Sequence, residues 1–266
     1  MTAEASFAGT LPAIQRTQDH RYIYQGVTYP GVTSALGVLD KSGALMTWAA
    51  RQTAEAAVAL FEGGDPDTEP VGYTLLQTVG RDGVIKAVTS RANWQRDEAA
   101  GLGTAVHALA DDLVNGRQPY APATETQRAY IDHYAEWWQR SGWKLRLSEA
   151  VVVSPAVDGV HEGYGGTLDL LCYDADGRTV LADIKTGKGV YREAILQLTA
   201  YGIAQYVSKM GAAEVYEMPL VQRHVVIHVT RDGVREVELS IGAREWAAWW
   251  SALDLYRWTE TVKGKL

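Results

Sequence analysis

Two short runs of alternating residues, 167–173 and 179–185, flank the turn signature Asp174-Ala175-Asp176-Gly177. Side chains alternate faces along a strand, so residues two apart share one. Asp183 and Lys185 therefore point together, with Ile184 opposite. In the first run the same rule groups Leu168, Leu170 and Cys172 on one face and Asp169, Leu171 and Tyr173 on the other. A three-residue hairpin loop at 175–177, with its glycine left-handed, pairs position 174 with 178 and carries Asp169 opposite Asp183. Directly opposed side chains have Cβ atoms about 4.5–5.5 Å apart, where like charges destabilise. Two uncompensated carboxylates are a poor structural choice there, and a cation would reverse the sign. The plainer alternative is a solvated sheet face with Lys185 as salt-bridge partner, which explains neither the register nor the neighbouring groups.

Those neighbours come in a fixed order: Gly103-Thr104-Ala105-Val106-His107, then Gly166-Thr167-Leu168-Asp169, then Asp183-Ile184-Lys185, then Gln197-Leu198-Thr199-Ala200-Tyr201. Together they resemble the RecB-type branch of the PD-(D/E)XK nuclease superfamily, including its phage-encoded exonucleases. The lead-in Tyr29-Pro30-Gly31-Val32-Thr33-Ser34, followed by Trp48-Ala49-Ala50, resembles phage members too, so the likeness spans most of the chain. Two departures stand out. Asp111 occupies a position where many relatives carry Glu, and the single Cys172 excludes the four-cysteine iron–sulfur cluster of some relatives.

The resemblance implies an α/β fold, a central mixed β-sheet flanked by helices (a restriction-endonuclease-like PD-(D/E)XK core), with an N-terminal helical elaboration. It implies Mg²⁺ or Mn²⁺ held by Asp169, Asp183 and the carbonyl of Ile184, with His107 as an added nitrogen ligand, while Lys185 acts on the attacking water. Glu149, read as opening the first core strand on the face of Val151 and Val153, joins the metal set directly or through water. Gln197 and Tyr201 lie i, i+4 on a helix and project side by side; the resemblance gives them a role in ordering Lys185 or touching the scissile DNA strand. Lys188 and Arg192, just past the catalytic strand, are expected phosphate contacts. The expected activity is a metal-dependent deoxyribonuclease, first an exonuclease, serving DNA replication, recombination or repair. The alternatives are a structure-selective endonuclease and a non-catalytic DNA-binding module on the same fold.

Composition bounds these readings. At 266 residues and 47% hydrophobic, the chain can bury a substantial core. One nuclease domain is expected, with a hairpin and helical part at 1–142 and the catalytic sheet and closing helix at 143–266. Its 25 basic against 32 acidic residues give a net charge of −7, so DNA contact requires a local basic patch. DNA is the expected partner, with a second copy of the chain or a recombination or replication protein as further candidates. No signal segment or membrane span is read, and a cytoplasmic location is expected, that of the host if phage-encoded. Cys172 reads as a core residue.

Pattern and punctuation predict a short hairpin at 21–33, helices near 42–62, 84–96, 97–113 and 124–141, and a loop at 65–70. Strands follow at 146–154, 167–173 and 179–185, then a helix at 191–207, strands at 225–229 and 234–239, and a closing helix from Ala243. His161 and Glu162 read as solvated loop residues. Of the nine tryptophans, Trp137, Trp138, Trp246, Trp249 and Trp250 suggest base stacking, but helical spacing favours core for most. Thr186-Gly187-Lys188-Gly189 lacks the spacing of a phosphate-binding ATPase loop.

Overall fold

The computed structural model describes residues 12–39, 42–62, 71–117 and 124–263. In chain order the elements are β1 (Gln15–Arg16), β2 (Tyr22–Tyr24), β3 (Val27–Tyr29), α1 (Val32–Ala35) with a 3-10 turn after it, α2 (Ser42–Glu62) and α3 (Val71–Val114). Then come α4 (Glu125–Ser141), β4 (Lys144–Ser154), β5 (Tyr164–Tyr173), β6 (Thr179–Lys185), α5 (Arg192–Gly202), β7 (Tyr206–Lys209), β8 (Tyr216–Glu217), β9 (Arg223–Thr230), β10 (Gly233–Leu239) and α6 (Ala243–Lys263). The chain divides into two compact units, Met1–Leu39 with Gly103–Leu266, and Asp40–Leu102. The second holds α2 and the first part of α3, which breaks its helical geometry at Gly80.

Within the larger unit, seven strands run in the order β10-β9-β6-β5-β4-β7-β8, and β1-β2-β3 form a small separate sheet. Neighbours are antiparallel except β6 and β9, which are parallel and so need a long connection rather than a tight turn. Apolar side chains cover both faces of the large sheet, and each face is roofed by helices. Leu171, Leu181 and Val226 pack with residues of α1, α5 and α6. Leu170, Cys172, Val180, Ala182 and Ile184 pack instead with Ala110 of α3 and with Tyr134 and Trp137 of α4. This is a mixed α/β architecture, a central multi-stranded sheet between helices. No helix among the described residues is long and apolar enough to cross a membrane.

Local chemistry fixes the element ends. Thr124 and Gln127 form a reciprocal capping box at the start of α4, and Gly142 ends it with φ 67°. The β5–β6 hairpin has the expected register, Leu170 facing Ala182 and Tyr173 facing Thr179. Asp174 donates its N–H to the Arg178 carbonyl, its Oδ1 accepts from the N–H groups of Asp176 and Arg178, and Gly177 takes φ 78°.

Several expectations are corrected. The stretches 84–96 and 97–113 belong to α3, which begins at Val71, because no strong breaker separates them. The helix expected over 191–207 ends at Gly202, and Tyr206–Lys209 becomes β7 alongside β4, where Val207 is buried. The 65–70 loop lies outside the described residues. Leu168 packs with Leu171, not with Leu170 and Cys172. The reason is a break in alternation: Ser148 pairs with Leu170 and Ala150 with Leu168, while Glu149 between them has a left-handed φ of 46°. Glu149 thus lies inside β4 rather than opening a strand, and it does not continue the row of Val151 and Val153 by simple alternation.

The pair Gly165-Gly166 lets β5 be approached from both sides. A Cβ on Gly165 would come within 2.4 Å of the Tyr22 ring, and one on Gly166 within 2.3 Å of the Tyr201 ring. Both tyrosines are buried, so neither ring has free space to swing away. Gly165→Ala and Gly166→Ala are each expected to lose about 1–3 kcal/mol in urea unfolding, the cost of overpacking a closed core. Wild-type midpoints in both variants would mean that the glycines are not required for this packing.

Candidate metal centre

The chemistry-bearing residues collect where β4, β5 and β6 meet the last turns of α3. At the break in β4 and β5, Glu149 turns its side chain out of the regular row. Left-handed φ at a non-glycine residue costs about 1–3 kcal/mol and persists only where the surroundings enforce it, most often at functional sites. His107 on α3, Glu149 on β4 and Asp169 on β5 each offer a ligand atom, and these atoms lie within 4.8 Å of one another. His107 Nδ1 is 3.5 Å from Asp169 Oδ2. That oxygen also accepts the Ile184 N–H at 2.7 Å, so the carboxylate takes over the hydrogen bonding of β6 just past the end of the ladder.

Asp183 is the most enclosed charge in the site, with 2% of its side chain exposed. Lys185 Nζ lies 2.6 Å from its Oδ2, an ion contact, yet neither carboxylate oxygen receives a well-directed hydrogen bond. A buried carboxylate left so is costly unless a charge compensates it. Burial, followed by the negative charge of Asp169, raises the Asp183 pKa above the ordinary carboxylate range. Burial alone would lower the Lys185 pKa, but the charges of Asp183 and Asp169 outweigh it and the ammonium is held more firmly. Burial, followed by the charge of Asp169, pushes Glu149 up to about 7.

A second line of contacts holds Lys185 from the α5 side. Its Nζ donates to Gln197 Oε1 at 3.4 Å, and Gln197 Nε2 donates to the Tyr201 hydroxyl at 3.1 Å. Thus Gln197 and Tyr201, singled out by sequence, reach the lysine as a chain. Ile184 contributes its N–H, while its side chain is buried in the core beneath α4. Lys188 and Arg192 are both exposed on the segment after β6. Asp111 is tied up by Arg117 and by Asn115 Nδ2 at 2.9 Å, and stands outside the three-residue donor cluster.

Three residues around the site carry no motif signal. Tyr22 bonds Thr167 Oγ1 at 2.9 Å, His228 Nε2 lies 2.7 Å from the Gly187 carbonyl, and Arg16 adds positive charge near Glu149. His228 is the parallel-strand neighbour of Lys185, so it pins the turn that follows the lysine. Only the folded pairing could expose these roles. Of the two loop residues, His161 departs from the solvated expectation by stacking on Trp250 with ring centroids 4.5 Å apart, while Glu162 is exposed as expected and pairs with Arg257 at 2.7 Å. Trp137 and Trp249 are core, while Trp246 is 47% exposed. Cys172 is buried, and desolvation pushes its thiol up to about 12.

The donors suit a hard divalent cation. Carboxylate oxygens dominate, one imidazole joins them, and Asp183 keeps two buried oxygens without hydrogen bonds beside them. His107, Glu149 and Asp169 are the residues placed to hold such an ion, with Asp183 next to them.

No protein-family model matches this chain, and no curated protein matches it. A solved structure titled "Crystal structure of SSO0001" is 16% identical and covers 59% of this chain and 74% of that one, with a TM-score of 0.32. A likeness at that level carries no argument, so the functional reading stands on the side chains.

The Glu149 shift has a sign that stability measurements can read. Its pKa is raised by folding from 4.5 to about 7, so the folded state favours the protonated acid. That contribution is complete below about 4.5 and is lost as pH climbs through about 7. In cation-free buffer the wild-type Tm is expected to fall across this window relative to Glu149→Gln, and Mn²⁺ at pH 8 should restore much of the loss in wild type alone. Parallel pH profiles for the two proteins would show that Glu149 ionises as freely in the fold as in water.

Proposed function

We propose that this chain is a divalent-metal-dependent deoxyribonuclease with a PD-(D/E)XK-type site. The observation that carries the reading is buried Asp183, in ion contact with half-buried Lys185, standing beside the donor cluster of His107, Glu149 and Asp169. A structural salt bridge alone gives no reason for three further metal-type donors to converge on it. Like-charged carboxylates this close are a liability without a counter-charge.

Mg²⁺ or Mn²⁺ bound there would neutralise charge developing on the scissile phosphate and make a water acidic enough to lose its proton near neutral pH. The protein side chains have separable tasks. His107, Glu149 and Asp169 supply ligand atoms, Asp183 adds one of its buried oxygens, and the Asp169 bond to the Ile184 N–H keeps that carboxylate aimed. Lys185, held between Asp183 and Gln197, offers ammonium protons to the attacking water or to a phosphate oxygen. Tyr201 fixes the Gln197 amide so that its oxygen faces the lysine. Lys188 on the turn after β6 and Arg192 at the start of α5, both exposed, are the assigned phosphate contacts. The product class is a hydrolysed DNA phosphodiester, and the exonuclease form of the reaction is the first expectation.

Purified protein with Mn²⁺ should degrade linear DNA and leave covalently closed circles intact, and excess chelator should abolish cleavage. Cutting of closed circles would make it an endonuclease. Absence of cleavage on both substrates, with DNA still bound, would favour the non-catalytic module.

Ligand and catalyst separate within β6. Asp183→Ala should lose both tight metal binding and cleavage. Lys185→Ala should keep metal binding in calorimetry while turnover falls about 10²–10³-fold, the scale of removing one preorganised electrostatic donor. A wild-type rate for Lys185→Ala at saturating Mg²⁺ would end the catalytic assignment of this lysine.

A further inference from the structure

The small N-terminal sheet brings a cation to the carboxylate site that the catalytic motifs do not include. Arg16 on β1 pairs directly with Tyr22 on β2, and opposed residues of an antiparallel pair share a face. That face is the one laid on the large sheet: the Tyr22 ring sits over Gly165, and its hydroxyl bonds Thr167 Oγ1 at 2.9 Å. Thr167 is two residues from Asp169, and its partner Val151 is two residues from Glu149. The Arg16 charge accordingly acts on both Glu149 and the Tyr22 hydroxyl.

We propose that Arg16 is an anion-binding residue of this site, gripping the DNA phosphate next to the one that is cleaved. The assignment rests on the nuclease reading for its substrate. Arg16 is exposed, its Nη2 meets His20 Nδ1 at 2.6 Å, and it forms no ion pair among the described residues. An arginine retained to neutralise Glu149 would close on that carboxylate; this one stays short of it and spends one donor on an imidazole. The imidazole nitrogen accepts, so it orients the guanidinium without discharging it. His20 is itself held in a left-handed conformation with φ 59°, which fixes the far end of this pair. The guanidinium keeps most of its five donors in a planar fork, a shape matched to phosphate oxygens. On a chain of net charge −7, a polyphosphate approaching an acidic centre needs such a local cation.

The test is equilibrium binding of a short fluorescein-labelled DNA duplex across a salt series, with Mn²⁺ present and Lys185→Ala as background to suppress turnover. Arg16→Ala and Arg16→Gln should each weaken binding about tenfold and reduce the salt slope by about 1, the signature of one lost phosphate contact. Arg16→Lys should recover the slope but only part of the affinity, because it keeps charge without the fork. Unaltered DNA affinity and slope in Arg16→Ala, or tighter Mn²⁺ binding with unaltered DNA affinity, would overturn the proposal and reduce Arg16 to a screen for Glu149. The outcome is separable from that of the nuclease reading. A wild-type protein that binds DNA through Arg16 but never cleaves it would sink the activity and keep the contact.

Discussion

Carboxylates held close together out of water are the constraint around which the larger unit is organised. Asp183 is buried near the end of β6, Asp169 in the middle of β5 bonds into the β6 backbone, and Glu149 faces them from the break in β4. Mutual repulsion and lost hydration both oppose this grouping. Each nearby feature answers that cost. Lys185 contacts Asp183, His107 contacts Asp169, and Arg16 acts on Glu149. A site in which an ammonium, an imidazole and a guanidinium gather around three acids, one of them still without hydrogen bonds, is electrostatically poised for one more positive charge.

Rigid packing keeps the cluster from relaxing. The Gly165-Gly166 pair admits Tyr22 on one side of β5 and Tyr201 on the other, and each ring delivers a hydroxyl to a polar partner at the site. The same two glycines therefore fasten the small sheet and α5 to the strand that carries Asp169. From α5, Gln197 extends the hold to Lys185. On the far side, His228 secures the Gly187 carbonyl, and Gly103 of α3 lies close enough to Thr186 that a Cβ there would come within 3.3 Å of its hydroxyl. The lysine is thus supported through neighbours on three elements.

A sheet between helices serves many chemistries, so architecture by itself says little about activity. What narrows the reading here is the coincidence of a strained backbone at Glu149, a desolvated acid at Asp183 and a donor trio of hard-cation type. Each has structural explanations when met alone. In one place they set three metal-type donors beside a buried acid and a lysine, and on that coincidence the proposed reading rests.

The sequence by itself determined the local parts: the β5–β6 register, because turn chemistry at Asp174 and Gly177 leaves little freedom; the capped α4; and the i, i+4 pairing of Gln197 with Tyr201. It also marked the residues of the donor set, since their types and order are readable without coordinates. Tertiary structure alone decided which of them meet. The left-handed turn at Glu149 shifts the alternation of β4 and β5, so Leu168 changes sides and Glu149 joins His107 and Asp169, while Asp183 turns toward Lys185. No periodicity predicts such a break, because it is enforced by neighbours rather than by the strand's own residues. The places of Arg16, Tyr22 and His228 were hidden for the same reason: each reaches the site across a sheet pairing or packing contact between segments far apart in the chain.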